Sequence, residues 1–249
     1  MRAKRTFLAI YLLMTGVLSF AQIPASIMDS LKRVVSNGNL HEVKAFIERQ
    51  KGLDTHIRIE RQVFDSYWEW SYEAKESPGY VFDFISDSIN IIYFKVISQK
   101  KKKYLHERKE AMEHFYRKYN EVYVRRVHAD DFFSNETVYG RGCGFTGEDP
   151  PERKKMNACL EKNCDEKIFI TWLQSPITEL QMYGFEGGFI LASKGCTLSP
   201  LAKKLMDNVA HKSGNVRICG GCIYSMKPIS MVITEMKKNI LQSIKRDDR

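Results

Sequence analysis

The sequence predicts an α+β fold: an N-terminal helical hairpin, a small antiparallel sheet with one long amphipathic helix, then an all-helical C-terminal part. Three observations predict it. Apolar residues recur at helical spacing between Ile27 and Ile47, aromatic and β-branched residues gather between Trp68 and Ile97, and Ser-Pro or Pro start signals precede apolar stripes three times after Gln174. The 249 residues are 43% hydrophobic and 28% charged, with 15 Gly and 7 Pro, which excludes disordered and collagen-like chains. Four segments follow: 1–21 as a leader, 22–128 as an α+β domain, 129–165 as a Gly/Cys-rich loop region and 166–249 as a helical domain.

The leader is read from physical roles. Arg2, Lys4 and Arg5 precede an apolar run from Phe7 to Leu18, and Ser19-Phe20-Ala21 offers small side chains where a signal peptidase reads them. Cleavage after Ala21 is expected, giving a secreted or periplasmic chain. The apolar run is shorter than the ~20 residues that span a bilayer, so no transmembrane segment is expected after cleavage. Loss of the leader takes the formal net charge from +9 to +6, an excess suited to acidic proteins, anionic glycans or lipid head groups. Export argues against nucleic acid as a partner.

In the mature chain, Ile27, Leu31, Val34 and Val35 form the first helical stripe and Leu40, Val43, Phe46 and Ile47 the second, with Asn37-Gly38-Asn39 as stop and N-cap between them. The stretch Ser36–Glu48 resembles one helical element of an ankyrin repeat. It does not recur, and stacked repeats need about three units, so a plain hairpin is expected. Strands are predicted at roughly 66–74, 80–86 and 89–98, with a helix through Val63, Phe64, Tyr67 and Trp68 as the competing reading. Lys100, Lys101, Lys102 and Lys103 then lead into an amphipathic helix with Leu105, Met112, Phe115, Tyr116 and Tyr119 on one side and Arg108, Lys109, Arg117 and Lys118 on the other. A short strand at 122–127 follows.

Residues 129–165 show little periodicity. Gly142-Cys-Gly-Phe-Thr-Gly147 matches a phosphate-loop pattern by letter, but the acids and prolines of Glu148-Asp-Pro-Pro151 would repel an anion there, so a compact loop pinned through Cys143 is expected. His128, Asp130, Asp131, Arg141, Glu148 and Asp149 make this loop the first place to seek a site, as acid, base or metal ligands, although nothing in their spacing demands it. Asn135 opens a glycosylation sequon. Further on, helices are predicted over 168–173, 177–194, from Pro200 to near Gly214, and from Pro228. Gly184, Gly187 and Gly188 imply close helix approach, a kink or an unsuitable helix assignment. The stretch Trp172–Gly187 resembles a HEAT-type helical repeat, with Gln181 where arginine is usual; that resemblance implies protein binding. The segment Tyr139–Tyr224 also looks like exported bacterial proteins of unassigned function, which implies a compartment and no activity.

All six cysteines, Cys143, Cys159, Cys164, Cys196, Cys219 and Cys222, follow the leader, and an even number in an exported chain makes disulfides the default, with connectivity left open. Zinc and redox catalysis remain as alternatives. Zinc would pair Cys219 and Cys222 with Cys159 and Cys164, but that spacing fits no common knuckle and no histidine lies nearby. Cys219-Gly-Gly-Cys222 has the spacing of thiol–disulfide catalysts, yet its flanks read as extended and its glycines as a turn. A Cys143 nucleophile with His211 as base lacks an activating partner. The leading expectation is a disulfide-stapled protein-interaction or binding module with no cofactor and no metal. The runner-up is a cysteine-dependent enzyme using Cys219 and Cys222; a third reading is an anionic glycan or lipid binder using Lys100–Lys103.

Overall fold

Large side chains at Trp68, Trp70 and Tyr72, with Glu69, Ser71 and Glu73 between them, suit a two-residue period and therefore a strand. The computed structural model describes residue 23 and residues 25–49, 54–74, 79–98, 101–133, 137–161 and 165–247. It contains a five-stranded antiparallel sheet in sequence order: β1 (Thr55–Phe64), β2 (Tyr67–Ala74), β3 (Tyr80–Ser86), β4 (Ile91–Ser98) and β5 (Lys101–Glu107). Trp70, Phe84 and Phe94 stand opposite one another in adjacent strands, and their rings stack with centroids 6.0 and 5.6 Å apart. This aromatic face is covered by α1 (Ala25–Asn37) and α2 (Leu40–Arg49), whose Leu31, Val35, Val43 and Ile47 join it in one apolar cluster. Gly38 makes the turn between them at φ +79°, and the Asn39 side chain accepts from Glu42 N at 3.1 Å as the N-cap.

The opposite face of the sheet is covered by α3 (Lys109–Tyr123) and the C-terminal half, through a second apolar cluster running from Val63 to Ile240. That half holds α4 (Pro151–Leu160), α5 (Lys167–Leu173), α6 (Thr178–Ser193), α7 (Pro200–Ala210) and α8 (Ile229–Asp247). A second sheet lies among them: β6 (Tyr139–Cys143) parallel to β7 (Asn215–Gly221), which pairs antiparallel with β8 (Ile223–Pro228). Helix α6 is buried on nearly every side, as befits a helix at the centre of a domain. Its glycines mark close approach: a Cβ on Gly184 would lie 2.8 Å from Phe169 O, one on Gly187 2.3 Å from the Phe169 ring, and one on Gly188 2.7 Å from Met206 Sδ.

Several expectations are corrected. Residues 55–64 form a full strand, and the competing helix through Val63 and Trp68 gives way to a turn at Asp65-Ser66, with Asp65 at φ 43°. Lys101–Lys103 and Leu105 belong to β5, so the amphipathic helix begins at Lys109; Val122 and Tyr123 end that helix instead of starting a strand. The loop region 129–165 contains a 3₁₀ turn (Ala129–Phe133), β6 and α4, the last opened by Pro151 at its first turn. The C-terminal part is not all-helical: β7 and β8 arise because β7 pairs with β6, some 76 residues earlier at the Cys143–Cys219 bridge, a partner invisible to local periodicity. Among the described residues no helix is long and apolar enough to cross a membrane. The leader, Lys100, Asn135 and Cys164 lie outside the described residues.

Candidate functional site

Helix α6 starts behind a Ser-Pro signal, with Ser175 Oγ accepting from Ile177 N at 3.1 Å. It carries Glu179 and Glu186 seven residues apart, close to two turns, so both acids share one side of the helix. Each is buried, and each anchors a polar cluster.

Glu186 is met by three donors. Arg141 Nη2 and Tyr139 OH, both from β6, donate at 2.8 and 2.7 Å, and Arg153 Nη1 from α4 lies at 2.7 Å. Burial acts to raise the Glu186 carboxyl, but the Arg153 guanidinium, the Tyr139 hydroxyl and Arg141 outweigh it, and the group sits below its ordinary value. Burial and the neighbouring Glu186 charge push Tyr139 well above the usual phenol range. Arg153 Nε also donates to Gly140 O at 3.0 Å, which fixes β6 against α4. Two guanidiniums around one carboxylate leave a surplus positive charge, and the Arg141 side chain is largely exposed. Beside this cluster opens a cavity of about 330 Å³, walled by Arg141 and Glu186 on one side, Cys219 of β7 on a second, and Glu235, Asn239 and Ser243 of α8 on a third.

The rim is stapled. Cys143 and Cys219 form a disulfide between β6 and β7 with Cα atoms 5.5 Å apart, closing a loop of 76 residues. In the chain-entropy model a loop that long is worth about 4.5 kcal/mol. The strands approach so closely that a Cβ on Gly140 would lie 2.2 Å from Cys219 O. Cys196 is also disulfide-bonded, Cys159 is a half-buried free thiol, and Cys222 is a free, exposed one. The glycines of the Gly142–Gly147 loop serve turns, at φ +54°, +75° and +65° for Gly142, Gly144 and Gly147, and Asp149 accepts from Gly142 N at 2.9 Å. At its tip Phe145 is 97% exposed; on the neighbouring hairpin Ile223 is 71% and Tyr224 58% exposed. Gly144 N donates to Gly221 O at 2.8 Å, so the two tips are tied together by main chain as well as by the disulfide.

No family model, curated protein or solved structure matches the chain. The site therefore stands on its own geometry.

The other end of α6 meets the large sheet. Arg61 of β1, fully buried, donates to Glu69 at 2.7 and 3.1 Å and to both oxygens of Glu179 at 2.9 Å, and Arg217 N donates to Glu179 Oε1 at 3.0 Å. Lys212 Nζ donates to Gln181 Oε1 at 2.6 Å close by. Burial pushes the Glu69 carboxyl up to about 7 against the pull of Arg61, and burial, then the Arg61 charge, bring the Lys212 ammonium down to about 7. Gly214 brings its chain against β1, where a Cβ would lie 2.4 Å from Arg61 Cα.

The residues singled out in the sequence separate in space. Of the loop residues, Arg141 lines the cavity. Asp130 accepts from Tyr93 OH and Lys95 Nζ at 3.0 and 2.9 Å, and Asp131 accepts from His128 N at 2.8 Å, so both serve the 3₁₀ turn and the large sheet. Glu148 pairs with Lys154 at 3.0 Å. Lys101, Lys102 and Lys103 lie exposed on the edge strand β5, where lysines discourage pairing with another sheet edge. His211 pairs with Asp207 on α7, and the Cys143 sulfur is occupied in the disulfide, which removes the Cys143–His211 nucleophile. Among the described residues no group of three or more His, Cys, Asp or Glu is placed to hold a metal ion. The sequence reading missed Tyr139, Arg153 and Glu186. Their signal was the acids Glu179 and Glu186 inside an otherwise apolar helix, since a buried acid requires a partner.

Proposed function

We propose that this chain is an exported binding module, secreted or periplasmic, whose disulfide-stapled C-terminal half receives a protein segment. The observation that carries the reading is the trio Phe145, Ile223 and Tyr224, three large side chains standing exposed on two tips that are cross-tied by Cys143–Cys219. A rigid tip loses little entropy on docking, and aromatic anchors dominate protein interfaces. Arg141, exposed beside the tips and carrying the surplus charge of the Glu186 cluster, selects a carboxylate. The ligand class is therefore an extended segment that places apolar side chains next to an acid.

The test uses two fluorescein-labelled peptide pools, matched in aromatic content, one acidic and one basic, titrated by anisotropy. Tighter binding of the acidic pool is expected. Phe145→Ser should weaken it by about tenfold, a loss of ~1.4 kcal/mol, and Arg141→Gln should abolish the preference for acid. Equal binding of the two pools, no binding of either, or wild-type behaviour of both variants overturns the reading.

A further inference from the structure

We propose that Cys143, Cys219 and Cys222 form a thiol–disulfide exchange site, in which the bond moves from Cys143–Cys219 to Cys219–Cys222. The inference is independent of the binding reading. It rests on where the register puts three sulfur-bearing residues. Cys143 lies opposite Gly221 in the parallel β6–β7 pair, and Cys222 is the next residue. One strand spacing plus one residue step brings the Cys222 Cα within about 9 Å of the Cys143 Cα. Cys222 is the second central residue of the β7–β8 hairpin turn, which is closed by the Gly220–Ile223 pair, and Cys219 precedes that pair on β7.

The glycines between them supply the second argument. Gly140 is glycine because the backbone of Cys219 leaves no room for more. Gly221 sits at φ +57°, the first central place of a two-residue hairpin turn. Gly220 has neither reason: its φ is not in the left-handed range, and a Cβ there would meet nothing within 4 Å. What glycine adds at 220 is backbone freedom and an open approach to the neighbouring sulfur, both of which an attacking thiol needs. Cys222, meanwhile, is free and exposed three residues from a disulfide-bonded sulfur.

The step balances within the chain. The Cys222 thiol gives its proton to water, and the thiolate attacks Cys219 Sγ. An S–S bond forms between Cys219 and Cys222 while the Cys143–Cys219 bond breaks, and the electron pair leaves on Cys143 Sγ, which takes a proton from water. One thiol and one disulfide exist before and after, so no oxidant is consumed. The consequence is mechanical: the loop bearing Phe145 loses its covalent tie to β7, and Cys219, which lines the cavity, changes partner.

The experiment follows the bond in the full chain. Oxidised protein is held near pH 8.5, about the ordinary thiol pKa, quenched in acid at intervals, alkylated with N-ethylmaleimide and mapped by peptide mass spectrometry. A population with Cys143 alkylated and Cys219 linked to Cys222 should grow over minutes to hours. The same population should be absent in Cys222→Ser. In Cys143→Ser, glutathione disulfide should drive formation of Cys219–Cys222. The proposal is overturned if Cys143 is never alkylated in the wild type, if Cys222 is found linked to Cys143 instead, or if Cys143→Ser keeps Cys219 and Cys222 as separate thiols or glutathione adducts.

Discussion

Removing the Arg61 guanidinium by Arg61→Met tests how the two halves are held together. Arg61 is fully buried and its four hydrogen bonds reach two carboxylates that have almost no contact with water. Without it, Glu69 and Glu179 must stay charged and poorly paired or take up protons. Proton uptake at pH 7 by a carboxyl whose ordinary value is 4.5 costs about 3.4 kcal/mol, at ~1.36 kcal/mol per pH unit. Glu69 already stands at about 7, so part of its cost is present in the wild type, and Glu179 keeps the Arg217 N–H. The expected loss is about 3–5 kcal/mol at pH 7. The sign with pH follows: a carboxyl whose folded value is raised contributes stability that is full below its unfolded value and lost as pH rises. At about pH 5 the uptake cost falls to ~0.7 kcal/mol, so the deficit against wild type should shrink by roughly 2–3 kcal/mol. Urea unfolding at both pH values, followed by tryptophan fluorescence, measures it. A deficit under ~1 kcal/mol at pH 7, or one that does not change with pH, would refute the reasoning. The triple variant Arg61→Met, Glu69→Gln, Glu179→Gln should recover most of the loss, since the penalty belongs to the orphaned charges.

Gly184→Ala should lower stability by about 1–3 kcal/mol despite alanine's better helix propensity, because its Cβ meets the backbone of α5 at 2.8 and 2.9 Å; Gly220→Ala, with open space around it, should change thermal stability by under ~0.5 kcal/mol. For Lys212, whose folded value is lowered from 10.5 to about 7, the stability contribution is present above the unfolded value and lost as pH falls through the folded one. Lys212→Met should therefore gain on the wild type as pH falls from about 10 to about 7, in paired melting curves. A constant gap between the curves would contradict it.

Much of the fold could be read locally. The helical hairpin, the strands at 80–86 and 91–98, and the Ser-Pro helix starts are each set by residues within a few positions of one another: Ser199 caps α7 through Ala202 N at 3.2 Å, with Pro200 in its first turn. What escaped reading depends on distant partners. The first strand, Thr-His-Ile-Arg-Ile-Glu-Arg-Gln-Val-Phe, is too charged to pass for a buried strand, and Arg61 is tolerated there because Glu69 on the neighbouring strand and Glu179, 118 residues away, both pair with it. Likewise Glu69 and Asp83 alternate with aromatics as though facing water, yet both are buried, Glu69 against Arg61 and Asp83 against Ser71 and Lys95. At the site, Arg141 was visible because it sits in a glycine-rich loop. Arg153 looks like an ordinary surface charge until burial is known, Glu186 in its apolar helix calls for a partner without saying which, and the Cys143–Cys219 pairing is one of several that spacing allows.

In the proposed binding reading, the position of Glu186 lets Arg141, on the short strand β6 at the edge of a glycine-rich turn, serve as a reader of charge. A residue on a turn-rich segment is a poor recognition element unless its geometry is fixed from outside, because side-chain and loop entropy would be lost on binding. Arg141 is fixed by a carboxylate on the deeply buried helix α6, by Arg153 bracing β6 through Gly140 O, and by the disulfide that leaves β6 at Cys143, two residues on. That same helix, about two turns earlier, is locked to the large sheet through Arg61. Rigidity thus passes along α6 from the sheet to the rim. Movement of the Cys143–Cys219 bond to Cys222 would remove only the outermost of these restraints, loosening the Phe145 tip while the Glu186 cluster stays in place.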